Sequence, residues 1–290
     1  MENKRKIVID NELCSRCGKC AKQCSEKVLL QSKKKGNISI CNVENCSLCG
    51  KCIEKCRRRA ILIEGLCTKK TNSLEDIVRF KGFVCSLFLF PIMLLVGFLM
   101  HPHLLQMKMI FTAQDLVDRF HNNSYYHIGH FIVMFAVPLI IIVMVGVMNI
   151  LQSNGKRWGF WGCIIGVFGA FILAVDKGAL CLVLSAFDTL PEQDFVNFAP
   201  TLQVIVDKAG LLWVCNLLSL LTVGAIIQFV GLIKEHKIKL WKGIISISGL
   251  LLLNNPDIEL ISALGTVFMS IGYMSLGVNE IRKHIGNHIV

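Results

Sequence analysis

No apolar run of signal-peptide type occurs in the first eighty residues of this 290-residue chain, where Met1-Glu-Asn-Lys-Arg-Lys leads directly into the strand-like Ile7-Val-Ile9. Without an export signal this part is expected to remain in the cytoplasm. Also missing are a phosphate-cradling loop, a flavin motif and a nucleophile triad, so nothing in the sequence points to catalysis by this chain alone. The basic runs contain no interleaved aromatic residues, which sets nucleic acid aside as a partner despite a net charge of +11. Polar residues are scarce in the apolar blocks, which counts against a redox-gated transporter. Asn216, Ser219, Thr222 and Gln228 are the main candidates, and interhelical hydrogen bonding explains them equally well.

What is present sorts into two parts. A hydrophobic fraction of 53 % and a mean hydropathy of +0.58 are too high for an ordinary soluble chain, and the apolar residues lie in long blocks after residue 81. Residues 1–81 hold 19 Lys and Arg against 9 Asp and Glu, so nearly all of the positive excess belongs to the polar head. Lys33-Lys34-Lys35 and Arg57-Arg58-Arg59 concentrate it, as a membrane-facing surface or as a dock for an acidic electron carrier.

Eight of the 14 cysteines form two identical runs 32 residues apart. They read Cys14-Ser-Arg-Cys17-Gly-Lys-Cys20-Ala-Lys-Gln-Cys24 and Cys46-Ser-Leu-Cys49-Gly-Lys-Cys52-Ile-Glu-Lys-Cys56. Such a run wraps three thiolates around an iron-sulfur cube, with the fourth at the start of a helix and aimed elsewhere. A zinc site needs four ligands, normally in two separated pairs, and two four-cysteine runs far exceed that. Cluster motifs without an export signal also favour a reducing compartment over disulfides. The other cysteines, Cys41, Cys67, Cys85, Cys163, Cys181 and Cys215, read as small packing residues, with Cys41 near enough to the runs to be a substitute ligand.

These runs resemble the bacterial two-cluster ferredoxin domain over roughly residues 5–65. The resemblance implies two 4Fe-4S clusters: Cys14, Cys17, Cys20 and Cys56 for one, and Cys46, Cys49, Cys52 and Cys24 for the other. The crossed ligation couples cluster assembly to folding. The family's proline after the fourth cysteine is replaced here by Ser25 and Arg57, which alters the turn and bears on cluster potential rather than on ligation.

The expected architecture is thus an α+β ferredoxin-like dicluster domain at 1–65, a linker and juxtamembrane helix at 66–81, and an all-α polytopic membrane domain at 82–290. Ser73 and Asp76 are placed to cap the juxtamembrane helix. Six apolar blocks, 82–100, 127–151, 158–180, 209–233, 240–254 and 258–278, predict about six transmembrane helices, the fifth short enough to be re-entrant. Lys156, Arg157, Lys234, Lys237, Lys239, Lys242, Arg282 and Lys283 fall in alternate connections and at the C-terminal end, whereas Asp115, Asp118, Asp188, Glu192, Asp194, Asp207 and Asp257 fall in the others. That bias predicts a multi-pass protein of the cell membrane with the N-terminal domain and the C-terminus cytoplasmic.

The histidines gather at the acidic end. His101 and His103 close the first span, while His127 and His130 share a face where the second begins, so with Asp176 they form a candidate haem or metal site, the alternative being imidazoles that suit the polar interface with no cofactor. Asp176, next to Lys177, lies about 27 Å along the third span, near the same interface, where a proton or quinone site is the alternative to a snorkelling Lys177. Thr112 and Asp115 are placed to cap a short surface helix between the first two spans. Gly159, Gly162, Gly166 and Gly169 form a stripe suited to close helix contact. The expected function is electron relay, either by this chain or as the electron-transfer subunit of a membrane oxidoreductase. The donor would be a cytoplasmic electron carrier or flavoprotein, and the acceptor a quinone, a haem or a membrane partner subunit in contact with lipid. A cluster-based redox or iron sensor is the alternative.

Overall fold

The structure, a computed structural model, describes residues 6–33, 36–56, 58, 60–64, 74–102, 104–105, 109–191, 193–254 and 258–289, with backbone alone for 64, 180, 196 and 286–289. The chain divides into two compact units, Met1–Ser73 and Leu74–Val290. Lys34, Lys35, Arg57, Arg59, Cys67, Ser73, His103, Glu192 and Asp257 lie outside the described residues, as does the expected linker up to Ser73.

The first unit repeats itself. Strand β1 (Lys6–Ile9), helix α1 (Lys19–Gln23) and strand β2 (Leu29–Gln31) are followed by β3 (Ile38–Ile40), a 3₁₀ turn (Val43–Asn45), α2 (Lys51–Glu54) and β4 (Ile61–Glu64). Pairing is antiparallel and runs between halves: β1 lies on β4 with Ile7 opposite Ile63, and β2 lies on β3 with Leu29 opposite Ile40. Strand alternation sends Ile7, Ile61 and Ile63 inward and leaves Val8 and Leu62 exposed. The core holds Ile7, Val28, Leu29, Ile61 and Ile63 with Cys20 and Cys52. The expected placement of the fourth cysteine is corrected here. Cys24 caps the end of α1, and Cys56 comes after α2 ends. Left-handed Gly18 and Gly50 start the helices immediately after them, so the third cysteine rides on the helix and the fourth falls beyond its single turn.

The second unit is a bundle of apolar helices. These are α3 (Leu74–Leu99), α4 (Ala113–Phe120), α5 (Ser124–Ile150), α6 (Lys156–Val175), α7 (Cys181–Phe187), α8 (Asp194–Val206), α9 (Ser219–Lys234), α10 (Leu240–Leu253) and α11 (Glu259–Ile289). A π-helical turn, Asp176–Leu180, joins α6 to α7, and a 3₁₀ stretch, Gly210–Leu218, leads into α9. No separate juxtamembrane helix precedes the first span among the described residues. Helix α3 runs unbroken for 26 residues from Leu74, because nothing in Leu74–Lys81 interrupts the helical backbone. Among the described residues, five helices are long and apolar enough to cross a membrane, as in a multi-pass membrane protein. The short block becomes α10, whose 14 residues span about 21 Å.

Side-chain contacts nevertheless show α10 running between the two ends of the bundle. Phe80 stacks on His284 at 4.2 Å, so α3 starts where α11 finishes. At the opposite end Arg119 of α4 pairs with Glu259 at the start of α11, both side chains nearly enclosed. Glu235, just past α9, accepts hydrogen bonds from the amides of Ser153 and Gly155 at 2.7 and 2.9 Å, at the corner between α5 and α6. Since α3 and α5 are antiparallel neighbours, that corner lies at the α3-start end, and α10 returns the chain from it to Glu259. The capping box predicted from Thr112 and Asp115 is present at the start of α4.

Helices α6 and α9 meet backbone to backbone. A Cβ on Gly224 would stand 2.3 Å from the Gly166 nitrogen and 2.6 Å from the Gly162 carbonyl oxygen, atoms that cannot rotate away. The glycine stripe is therefore a contact face. Gln228 fastens the same seam, its Nε2 donating to the Gly159 carbonyl of α6 at 3.3 Å, and it ties α9 to α5 through the Met144 carbonyl at 2.8 Å. Gly224→Ala must push the helices apart, so the detergent-purified protein should lose about 1–3 kcal/mol of stability, whereas Gly82→Ala, with open space around it, should lose none. Equal thermal midpoints for the two variants would contradict this packing.

Glu235 generates a pH prediction. Burial pushes its carboxyl up, but the backbone amides of Ser153, Gly155 and Gln152, with Lys237, outweigh that and hold it below the ordinary 4.5. A depressed carboxyl stabilises the fold fully above its unfolded value and loses that contribution as pH falls through the folded one. Glu235→Gln should cost about 1 kcal/mol at neutral pH, and the gap to the unsubstituted protein should close below pH 4.5. Thermal melts showing a pH-independent gap would contradict this role.

Candidate functional site

The two cysteine loops have the same backbone. Arg16 and Leu48 take positive φ of 54° and 57°, and Gly18 and Gly50 follow at 70° and 71°. Two left-handed residues in each loop curl the chain so that amide N–H groups face sulfur. Cys17 accepts from the Lys19 amide and Cys49 from the Lys51 amide. With the hydroxyls of Ser15 and Ser47, these donors hold the two exposed thiols below their ordinary range. Cys20 and Cys52 go the other way. They are 8 % and 9 % exposed, and burial pushes them up against the opposing amides of Ala21 and Ile53.

Negative charge raises these two further, and its sources identify their neighbours. Cys20 feels Cys56 and Cys14, while Cys52 feels Cys24 and Cys46. Each buried thiol thus lies within electrostatic reach of one cysteine of its own run and the last cysteine of the other. Cys24, Cys46, Cys49 and Cys52 also line one cavity with Gly50 and Ile63. The Ala60 amide donates to the Cys56 sulfur at 3.3 Å, and Gln31 Nε2 ties the first loop to the β2–β3 turn through the carbonyls of Arg16 and Gly36. All-thiol sets with amide donors suit iron-sulfur clusters. Cys41 is engaged in the β2–β3 sheet, its amide donating to Val28.

In the helical unit the expected outer residues separate into two groups. His101 and His130 come together, Nε2 to Nε2 at 3.3 Å. His127 turns away, its Nε2 lying 3.0 Å from Asp188, which also holds His121 at 3.0 Å and the Asn122 amide at 2.8 Å. Among the described residues of the helical unit, no three His, Cys, Asp or Glu side chains group closely enough to hold a metal ion. Asp176 and Lys177 pair at 3.0 Å in the π-helical turn and line a polar chamber with His101, His130, Tyr126, Arg119 and Glu259. Lys177 therefore faces inward rather than snorkelling out.

That chamber, about 310 Å³, shares Phe98, Val133, Lys177, Leu218, Thr222 and Leu253 with a second one of about 120 Å³ deeper in the bundle, lined by Phe90, Leu94, Met144, Met269 and Tyr273. Sequence reasoning missed Asp188, Arg119 and Glu259 as site residues. Each acquires its role from a partner distant in the chain, and no local pattern marks it.

No curated protein and no solved structure matches the chain. Residues 6–57 match the family model for a 4Fe-4S dicluster domain, 52 positions that include all eight cysteines of the two runs. The N-terminal unit is a ferredoxin-like 4Fe-4S dicluster domain, an electron-transfer module carried on a multi-pass helical unit.

Proposed function

We propose that this protein relays electrons between a cytoplasmic donor, a soluble electron carrier or flavoprotein, and a membrane-associated acceptor: a quinone, a haem or a partner subunit. The observation that carries the reading is the joining of two four-thiol sets in one small unit to a chain with five helices able to span a bilayer. Cys14, Cys17, Cys20 and Cys56 hold one cluster, and Cys46, Cys49, Cys52 and Cys24 the other. A bound 4Fe-4S cluster takes up and returns one electron.

The protein's own groups set the conditions for that exchange. The amides of Lys19, Ala21, Lys51, Ile53 and Ala60 donate to sulfur and stabilise negative charge there. Lys19 and Lys51, exposed beside Cys17 and Cys49, offer an acidic carrier a positive surface next to the two exposed thiols. In the helical unit, Lys156, Arg157, Lys234, Lys237, Lys239, Lys242, Arg282 and Lys283 gather at the end where α3 begins, and Asp115, Asp118, Asp188, Asp194 and Asp207 at the other. Positive residues are retained inside, which supports a cytoplasmic head and C-terminus.

Two measurements test this reading. Cys20→Ala and Cys56→Ala should each remove about half of the iron, and the double substitution no more than either, whereas Cys20→Ala with Cys24→Ala should remove nearly all. Iron retained at half in that last variant would contradict the crossed assignment. In membranes prepared without oxygen, the reduced absorption spectrum of the clusters should be lost on adding a quinone or a membrane fraction holding the acceptor. Clusters that no such addition reoxidises would count against the relay.

A further inference from the structure

We infer that the two adjoining chambers of the helical unit, which share six wall residues, form one binding site for a quinol or quinone, with its oxygen-bearing ring among the polar residues and its apolar chain in the deeper space. The argument begins with two protons. His101 Nδ1 lies 2.8 Å from the Gly97 carbonyl oxygen, and His130 Nδ1 lies 2.9 Å from that of Tyr126. A carbonyl oxygen accepts and never donates, so each Nδ1 carries its ring's proton. In the neutral tautomers both Nε2 atoms are then bare acceptors, and they face each other at 3.3 Å. Two lone pairs at that distance need a third group to satisfy them.

Three kinds of group can fill this need. A shared proton is disfavoured, because burial and the nearby charge of Lys177 push His101 down to about 4. A divalent cation would have two imidazoles and no third converging His, Cys, Asp or Glu among the described residues. An O–H donor, from water or from a ligand hydroxyl, satisfies one nitrogen per proton, or both through one bifurcated bond. Across the chamber Lys177, 3.0 Å from Asp176, has N–H donors beyond the one that pairing uses, and these suit a ring oxygen in its oxidised, accepting form.

The second chamber decides which O–H donor. The shared walls Phe98, Val133 and Thr222 also border a mostly apolar space beside Met144 and Met269, where Lys177, Thr222, Ser262 and Tyr273 are the few polar side chains a water could meet. Protein interiors rarely leave such a void unfilled. A ligand with a hydroxylated aromatic head and a hydrocarbon chain satisfies both halves of the site. As the acceptor site this deepens the relay reading and rests on it, whereas as a binding site it is tested separately.

The test uses the full cluster-loaded chain in detergent under argon, titrated with decylubiquinol and decylubiquinone, binding being followed by ligand depletion. Saturable binding near one per chain is expected. His101→Phe and His130→Phe keep a ring but remove Nε2, and each should weaken quinol binding at least tenfold. Ala225→Leu, which fills the deeper chamber, should weaken both forms while iron content and elution volume stay unchanged. Quinol affinity unmoved by the histidine substitutions would overturn the site, as would zinc or copper held stoichiometrically by the two histidines. Variant-sensitive binding without cluster reoxidation by decylubiquinone would sustain the site and sink a quinone-linked relay. Reoxidation with unchanged affinity in all three variants would sustain the relay and sink the site.

Discussion

Burial cannot hold the head together by itself. Among the described residues its core consists of five aliphatic residues and two cysteines, arranged on or beside strands of three or four residues and helices of four or five. So small a core rarely outweighs the conformational entropy of the chain it orders, and small domains of this kind depend on bonds other than burial. Metal–thiolate bonds are such bonds. The pairing of β1 with β4 and of β2 with β3 already locks one half of the repeat to the other, and crossed ligation would lock them a second time at the cysteines. Folding and cofactor loading are then coupled, and loss of a cluster weakens the structure that it ties together.

The helical unit solves a different problem. In lipid every backbone amide must find a partner inside the protein, which helices do locally. What then holds helices side by side is close approach. The Gly162, Gly166 and Gly224 seam and the buried Gln228 bond to Gly159 do this for α6 and α9, and large outward side chains such as Phe131, Phe135, Phe168 and Phe171 are left to the surroundings. Charge is confined to the two ends. At one end it includes Glu235 capping a corner, and at the other it forms ion pairs, Arg119 with Glu259 and Asp176 with Lys177, around the polar chamber.

Much of this was legible because the signals are local. Thiol spacing specifies a cluster loop within eleven residues, and apolar length specifies a spanning helix within about twenty. The capping box at Thr112 and Asp115 and the glycine stripe of α6 are also short-range patterns, and both read correctly. The chamber was not legible. His127 and His130 share a helical face in sequence, yet Asp188 draws one of them away while His101 meets the other. The outcome was decided by the π-helical turn at Asp176–Leu180, the pairing of Arg119 with Glu259 and the position of Asp188, none of which leaves a local trace. The fourth cysteine was misplaced relative to its helix because helix length there follows from the glycine turn rather than from the cysteine spacing.

The central claim is that one head on a membrane chain carries two clusters of equal composition. Anaerobic purification in mild detergent, with iron and acid-labile sulfide counted against protein, tests it most directly. The account predicts about eight of each per chain, together with a thiolate-to-iron absorption that bleaches on reduction. Zinc in place of iron, or iron near four with no loss on removing Cys52, would contradict it.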